Sequence, residues 1–253
     1  MYTHPIIFVH YPTGAGGRFL SALLQYSISF SPVLIDDTGS GHSNTSSRFS
    51  TNFYKIISTN VGMDIIHSTS SLSTSNQIRY LRSNFKISNS NMQVIELHCT
   101  DINIFLAAFP NSKCIQINIT NNDILKCVGN FLFKVMLSNP LYLKTLCNQY
   151  NVDYDQAVIK IKNLNESTNL KFFEWCITDY ILSTAKNVSN QHEFNDRILE
   201  IMYSEYMNDD IDNLLTWFLS FISVPYSTET FDTMYNYLLT YRIKQPNFSI
   251  PEI

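Results

Sequence analysis

A glycine-rich loop near the N-terminus has the residue types and the spacing that best suit chemistry. Gly14, Gly16 and Gly17 lie close together, and Arg18 follows directly. Glycines let backbone N–H groups close on a phosphate or sulfate without a Cβ in the way, and arginine can donate two hydrogen bonds to such an anion. The sequence therefore predicts an anion-binding loop, with contacts from Thr13, Gly14, Ala15, Gly16, Gly17 and Arg18. The alternative is that the glycines only turn the chain tightly.

Two familiar nucleotide-binding motifs are excluded by the composition of this loop. The pattern G-x-x-x-x-G-K-[ST] needs a lysine that the loop lacks. The pattern G-x-G-x-x-G would need a third glycine at position 19, which is Phe19. A ligand at this loop would therefore be held by backbone N–H groups and by Arg18.

The loop connects a predicted strand to a predicted helix. Residues 5–9 form a short apolar run, which is typical of a strand buried on both faces. After the glycines, apolar residues recur at helical spacing from Phe19 to Ile28. Because the first turn of a helix carries partial positive charge, this order of elements aims that charge and the loop N–H groups at one point.

Further along the chain, predicted strands alternate with predicted helices. Apolar and alternating patterns predict strands at 92–97, 114–119 and 198–203. A helix is predicted at 102–109, and a second helix, with turn and capping residues at 120–123, runs on to about residue 137. Strand–helix–strand units form right-handed parallel sheets. We therefore expect an α/β fold in a single domain over residues 1–253, with a parallel sheet of four to five strands flanked by helices.

The rest of the chain divides into a polar excursion and a helical half. Residues 36–60 are dense in Ser, Thr, Asn and Gly, which predicts an irregular surface segment. Beyond Pro140 the apolar spacing is mostly helical, with candidate helices at 142–150, 155–164, 170–184, 210–222 and 228–243. The C-terminal half of the fold is therefore expected to be rich in helices.

Composition excludes several classes of function. The net charge is −4, from 17 Lys and Arg against 21 Asp and Glu, so we expect no nucleic-acid partner and no membrane partner. No apolar run is long enough to span a membrane and no signal peptide begins the chain, so we expect a soluble cytoplasmic protein. The five cysteines include no C-x-x-C pair, and no ligand spacing indicates a metal site. An oligomer remains compatible with the sequence.

Four segments of the chain, taken in order, resemble the sulfotransferase family. The segment 11–20 resembles the family's 5′-phosphosulfate loop, in particular its Gly-Thr-Arg-Ala-Leu form, with residues 17–20 as the counterpart. The segment 94–98 resembles the family's strand that ends in Lys-Thr-His, and 113–127 resembles the strand and helix of its 3′-phosphate site. The segment 198–206 resembles the family's Arg-Tyr-Glu-Asp-Leu strand.

This resemblance implies a P-loop-like fold and an activity. The family transfers a sulfuryl group from 3′-phosphoadenosine 5′-phosphosulfate to a hydroxyl or amine acceptor, without a metal. The glycine loop would hold the 5′ end of this nucleotide-type anion, and Thr120 and Cys127 would stand at the 3′-phosphate site. His98 is the candidate general base, because it follows a strand predicted to end beside the loop. The alternative is a histidine that is hydrogen-bonded at a strand end.

The chain departs from the family at positions that matter to this chemistry. The family's loop lysine is replaced by Thr13 or Gly14, and the arginine of the 3′-phosphate site is replaced by Thr120. Two other hypotheses therefore stand beside the sulfotransferase hypothesis. One is a non-enzymatic binding or structural-assembly protein that keeps the glycine loop for packing. The other is a nucleotide-dependent phosphotransferase that binds Mg²⁺ through Asp36 or Asp37.

Overall fold

A four-stranded parallel sheet forms the centre of the computed structural model of this protein, which describes residues 6–12, 14–30, 32–35, 41–43, 74–84, 93–97, 102–163, 173 and 195–245. The elements in chain order are β1 (Ile6–His10), α1 (Gly17–Ser29), β2 (Val33–Ile35), β3 (Gly41–Ser43), α2 (Thr74–Asn84), β4 (Gln93–Leu97), α3 (Ile102–Ala108), β5 (Lys113–Asn118), α4 (Asn121–Ser138), α5 (Pro140–Gln149), α6 (Tyr154–Lys162), β6 (Ile198–Met202), α7 (Tyr203–Asn208), α8 (Ile211–Ile222) and α9 (Thr228–Ile243).

The sheet has the strand order β4-β1-β5-β6, and every neighbouring pair is parallel. The strand β1 lies inside the sheet, where Ile7 pairs with Val94 of β4 on one side and with Lys113 of β5 on the other. All five residues of β1 are buried, as its continuous apolar run predicts. The predicted α/β class, with a parallel sheet flanked by helices, is confirmed.

Helices cover the two faces of the sheet unequally. Val9 and Ile115 face a large apolar cluster to which α1, α4, α8 and α9 contribute. Phe8 faces a smaller cluster with α3, where its ring meets the ring of Phe105 edge-on at a centroid distance of 5.7 Å. Successive residues of β1 therefore point into different cores, which is the alternation expected of a strand.

The helices of the C-terminal half begin at clear capping residues. Asp153, Asp210 and Ser227 accept backbone N–H hydrogen bonds at the starts of α6, α8 and α9. Helix α5 begins two residues earlier than predicted, because Asn139 caps it and Pro140 fits the first helical position. No helix among the described residues is long and apolar enough to cross a membrane.

Two further elements differ from the sequence prediction. The strand β6 ends at Met202 and Tyr203 already belongs to α7, because the Glu205 carboxylate accepts the Met202 N–H at 2.7 Å and so fixes a helix start there. Within the segment predicted to be irregular, β3 pairs with β2 in antiparallel fashion, with Leu34 opposite His42. The predicted helix at 170–184 lies outside the described residues, apart from Phe173.

Candidate functional site

The direction of the chain connections reverses between β1 and β5, at the carboxyl ends of these two strands. The connection that leaves β1 leads to β4 on one side, whereas the connection that leaves β5 leads to β6 on the other. Ligands of open parallel sheets bind outside the carboxyl ends of the strands at such a reversal. The glycine loop follows β1 and Thr120 follows β5, so the two predicted parts of the donor site lie at the same edge.

The glycine loop delivers the open end of α1 to this edge. Gly14 and Gly16 have φ of 85° and 77°, in the left-handed region that favours glycine. A turn forms where the Ala15 N–H donates to the Pro12 carbonyl at 3.1 Å. Gly16 is the N-cap of α1, and no side chain caps this helix. The first backbone N–H groups of α1 therefore have no partner within the helix and remain suited to an anion.

Close packing explains why each loop glycine is glycine. A Cβ on Gly14 would overlap the carbonyl oxygen of Cys127, and a Cβ on Gly16 would overlap the hydroxyl of Tyr241. A Cβ on Gly17 would overlap the ring of Tyr11. The fold therefore accounts for the glycines by themselves, and only the other groups around the loop indicate an anion site.

A pocket of about 160 Å³ lies beside the glycine loop and is lined by two cationic residues. Arg18 is exposed at the start of α1, and Lys134 comes from the C-terminal part of α4. The Lys134 Nζ lies 3.3 Å from Gln245 Oε1 and 5.7 Å from the centroid of the Tyr241 ring, which it faces. We call this cavity the glycine-loop pocket. Its combination of two cations and an uncapped helix start suits a single sulfate or phosphate group.

Glu96 is a buried acid beside this loop that sequence reasoning missed. Its side chain lies at the end of β4 and is only 5% exposed. The Tyr11 hydroxyl donates to Glu96 Oε2 at 3.0 Å, and no described residue is hydrogen-bonded to Oε1. Burial raises the pKa of Glu96, while the Tyr11 hydrogen bond and the nearby Arg18 partly lower it. The signal in the sequence was a lone acid inside an apolar strand next to the loop.

The raised pKa of Glu96 predicts a pH-dependent stability. An acid whose folded pKa is above its unfolded pKa stabilises the fold below the unfolded value, near 4.5, and loses this contribution as pH rises through the folded value. Glu96→Gln cannot ionise, so its free energy of unfolding should rise relative to that of the wild type as the pH is raised from about 4.5 toward neutral. Urea unfolding at several pH values measures this. Glu229→Gln, an exposed change on α9, is the control. A constant difference across this range would contradict the prediction.

Thr120 and Cys127 have structural roles at the start of α4. The Thr120 hydroxyl and N–H both interact with the Asp123 carboxylate, at 2.7 and 3.1 Å, in a capping box. Cys127 is fully buried, and its carbonyl packs under Gly14. The structure thus brings Cys127 next to the glycine loop, where it is covered, whereas Thr120 is exposed at the carboxyl end of β5.

Several predicted residues lie outside the described part of the chain. These are Thr13, His98, Asp36 and Asp37. His10, which precedes the loop, is buried, and its Nδ1 lies 3.2 Å from Gln116 Oε1. No three His, Cys, Asp or Glu side chains in the described ranges are grouped as a metal site would require.

No protein-family model matches this chain, and no curated protein matches it. The chemistry of the loop is therefore inferred from its own residues.

Proposed function

We propose that this protein binds the sulfate or phosphate group of a nucleotide-type ligand in the glycine-loop pocket. One observation carries this proposal: the uncapped start of α1, the Arg18 side chain and the Lys134 side chain all line one cavity. Proteins commonly hold such anions with backbone N–H groups at a helix start and with arginine or lysine side chains. The cavity, at about 160 Å³, is smaller than the 300 to 1,000 Å³ that is typical of drug-sized ligands. A nucleotide would therefore place one anionic group here and extend along the sheet edge.

Sulfuryl transfer is the reaction that the resemblance adds to this binding site. An acceptor hydroxyl or amine would attack the sulfur of 3′-phosphoadenosine 5′-phosphosulfate, and the bond from sulfur to the bridging phosphate oxygen would break. The Arg18 guanidinium would stabilise the negative charge that develops on the leaving phosphate. The acceptor proton would pass to His98, the candidate base in the sequence.

A ligand titration with Arg18 variants tests the proposed binding. We expect adenosine 3′,5′-bisphosphate and inorganic sulfate to raise the unfolding temperature, because each binds only the folded state. Arg18→Ala should lower the affinity for both ligands by about tenfold or more, since a hydrogen bond to a charged group contributes about 1.5–3 kcal/mol. Lys134→Ala should also lower the affinity for both ligands.

The control for this titration is Arg79→Ala, which removes an exposed arginine on α2, away from the pocket. This variant should bind as the wild type does. Arg18→Ala should also unfold at nearly the wild-type temperature without ligand, since Arg18 is exposed. Equal affinity of the wild type and Arg18→Ala for sulfate would contradict the proposal.

A non-enzymatic binding or assembly protein is the second candidate function. The observation in its favour is that Gly14, Thr120 and Cys127 are each accounted for by packing or capping. If neither the bisphosphate, nor sulfate, nor ATP with Mg²⁺ raises the unfolding temperature, this candidate is favoured over both enzymes. Selective stabilisation by ATP with Mg²⁺ would instead favour a phosphotransferase.

A further inference from the structure

Helix α4 also lines a second pocket, on a different stripe of its surface. Its residues Asp123, Lys126 and Asn130 face this cavity, whereas Phe131 and Lys134 face the glycine-loop pocket. The other walls are α7 and the C-terminal end of α9, and the volume is about 300 Å³. We call this cavity the α4–α7 pocket. Its volume reaches the lower end of the range for small-molecule sites, about 300 to 1,000 Å³.

Two cations line the α4–α7 pocket, and one of them has no partner among the described residues. Lys126 is exposed, and its Nζ makes no hydrogen bond or ion pair in the described ranges. Arg242 is fixed in place by donating to the backbone carbonyls of Tyr206, at 2.7 Å, and Asp209, at 2.6 Å. The Asp123 carboxylate also lines the cavity and accepts two hydrogen bonds from Thr120, so the lining side chains carry two cations against one acid. The cavity therefore favours a negatively charged group.

Two buried polar groups of the same pocket are only partly satisfied. Asn130 is 3% exposed, and its Nδ2 donates to the Tyr203 hydroxyl at 3.0 Å, but its Oδ1 has no hydrogen-bond partner. A buried amide oxygen without a partner destabilises the fold, so a ligand group that donates to it is favoured. Burial raises the pKa of Tyr203, so its hydroxyl keeps the proton and can donate it. The lining thus offers one acceptor and one donor besides the two cations.

We propose that the α4–α7 pocket is a separate binding site for a small hydroxylated organic anion of the polyol phosphate class. The anionic group lies between Lys126 and Arg242 and accepts a hydrogen bond from the Tyr203 hydroxyl. A hydroxyl of the ligand donates to Asn130 Oδ1, which supplies the partner that this oxygen lacks. The proposed contacts in this site come from Lys126, Arg242, Tyr203 and Asn130, none of which lines the glycine-loop pocket. This proposal is therefore independent of the function proposed for that loop.

Calorimetric titration with glycerol 3-phosphate tests this site. Lys126→Ala should weaken its binding by about tenfold, because the variant removes one charge-assisted hydrogen bond. Propyl phosphate has the same length but no hydroxyl, and we expect it to bind the wild type more weakly by about threefold to tenfold. Lys144→Ala removes an exposed lysine of α5 outside both pockets and should leave the affinity unchanged.

The same titration separates this proposal from the one made for the glycine loop. Arg18→Ala should leave the Lys126-sensitive binding unchanged, and Lys126→Ala should leave sulfate binding at the glycine loop unchanged. Wild-type affinity of Lys126→Ala for glycerol 3-phosphate would overturn the proposal. Complete loss of binding in both single variants would also overturn it, because one ligand would then span both pockets.

Discussion

Replacing Gly14 with alanine is expected to lower the free energy of unfolding by about 3 kcal/mol or more, because two costs add. The first is conformational: φ at this position is 85°, where a residue with a Cβ is strained. The second is steric, because the added methyl group would overlap the Cys127 carbonyl. That oxygen belongs to the backbone of α4, so relief requires the loop or the helix to shift. Equilibrium urea unfolding measures the difference.

Two companion variants control for the chemistry of the Gly14 change. Ala15→Gly makes the reverse change, from alanine to glycine, at the next position. It should lower the free energy of unfolding by only about 1 kcal/mol. Gly16→Ala should be partly rescued by Tyr241→Phe, because the Tyr241 hydroxyl is the first atom that the new Cβ meets. No such partner can rescue Gly14→Ala, since its obstacle is a backbone oxygen. Near-wild-type stability of Gly14→Ala would show that the loop and α4 are not in close contact.

Replacing Phe8 with alanine is expected to cost about 3–5 kcal/mol, which is the usual range for truncating a buried phenylalanine. Phe8 is fully buried in an inner strand of the sheet and packs against the rings of Phe105, at 5.7 Å, and Phe109, at 6.1 Å. Both partners come from α3 or the turn after it, which leads into β5. The loss should therefore loosen the attachment of α3 to the sheet as well as create a cavity. Urea unfolding provides the measurement.

Phe30→Ala is the matched control, because Phe30 is 65% exposed at the end of α1. Its removal should change the free energy of unfolding by less than about 1 kcal/mol. A similar cost for both phenylalanine variants would contradict the assignment of Phe8 to the core beneath α3.

These predictions divide the glycine loop into residues that build it and residues that act on a ligand. Gly14 packs against α4, so its replacement should reduce stability and, through the shifted loop, also binding. Arg18 is exposed, so its replacement should reduce anion binding with little effect on stability. A loop held rigidly by its packing presents its backbone N–H groups in a fixed arrangement, which lowers the entropic cost of binding an anion.

Much of the fold could be predicted from local patterns. The apolar run of β1, the alternation in β5 and the helical spacing after the glycines identify strands and helices, because side-chain periodicity reflects which faces are buried. The alternation of strands with helices then makes a parallel sheet the expected result. The position of the glycine loop at the carboxyl edge follows from these two steps.

The groups that complete the site could not be predicted in this way. Tyr11 and Glu96 are 85 positions apart and meet only because β1 and β4 are neighbours in the sheet. Lys134 lines the glycine-loop pocket because of the way in which α4 is oriented about its own axis. The same packing brings Lys134 next to Gln245, which is 111 positions away in the chain. Periodicity shows that a helix has a buried stripe, but it does not show which partner covers that stripe.

By itself, the sequence determined the class of fold, the place of the glycine loop and the order of strands and helices, since these depend on interactions between residues close along the chain. The tertiary structure alone decided that the glycines are needed for packing, that Glu96 is a buried acid beside the loop and that α4 separates two cation-lined pockets. The physical reason is that burial and pairing of polar groups are set by the strand order and by helix packing, which local periodicity does not encode.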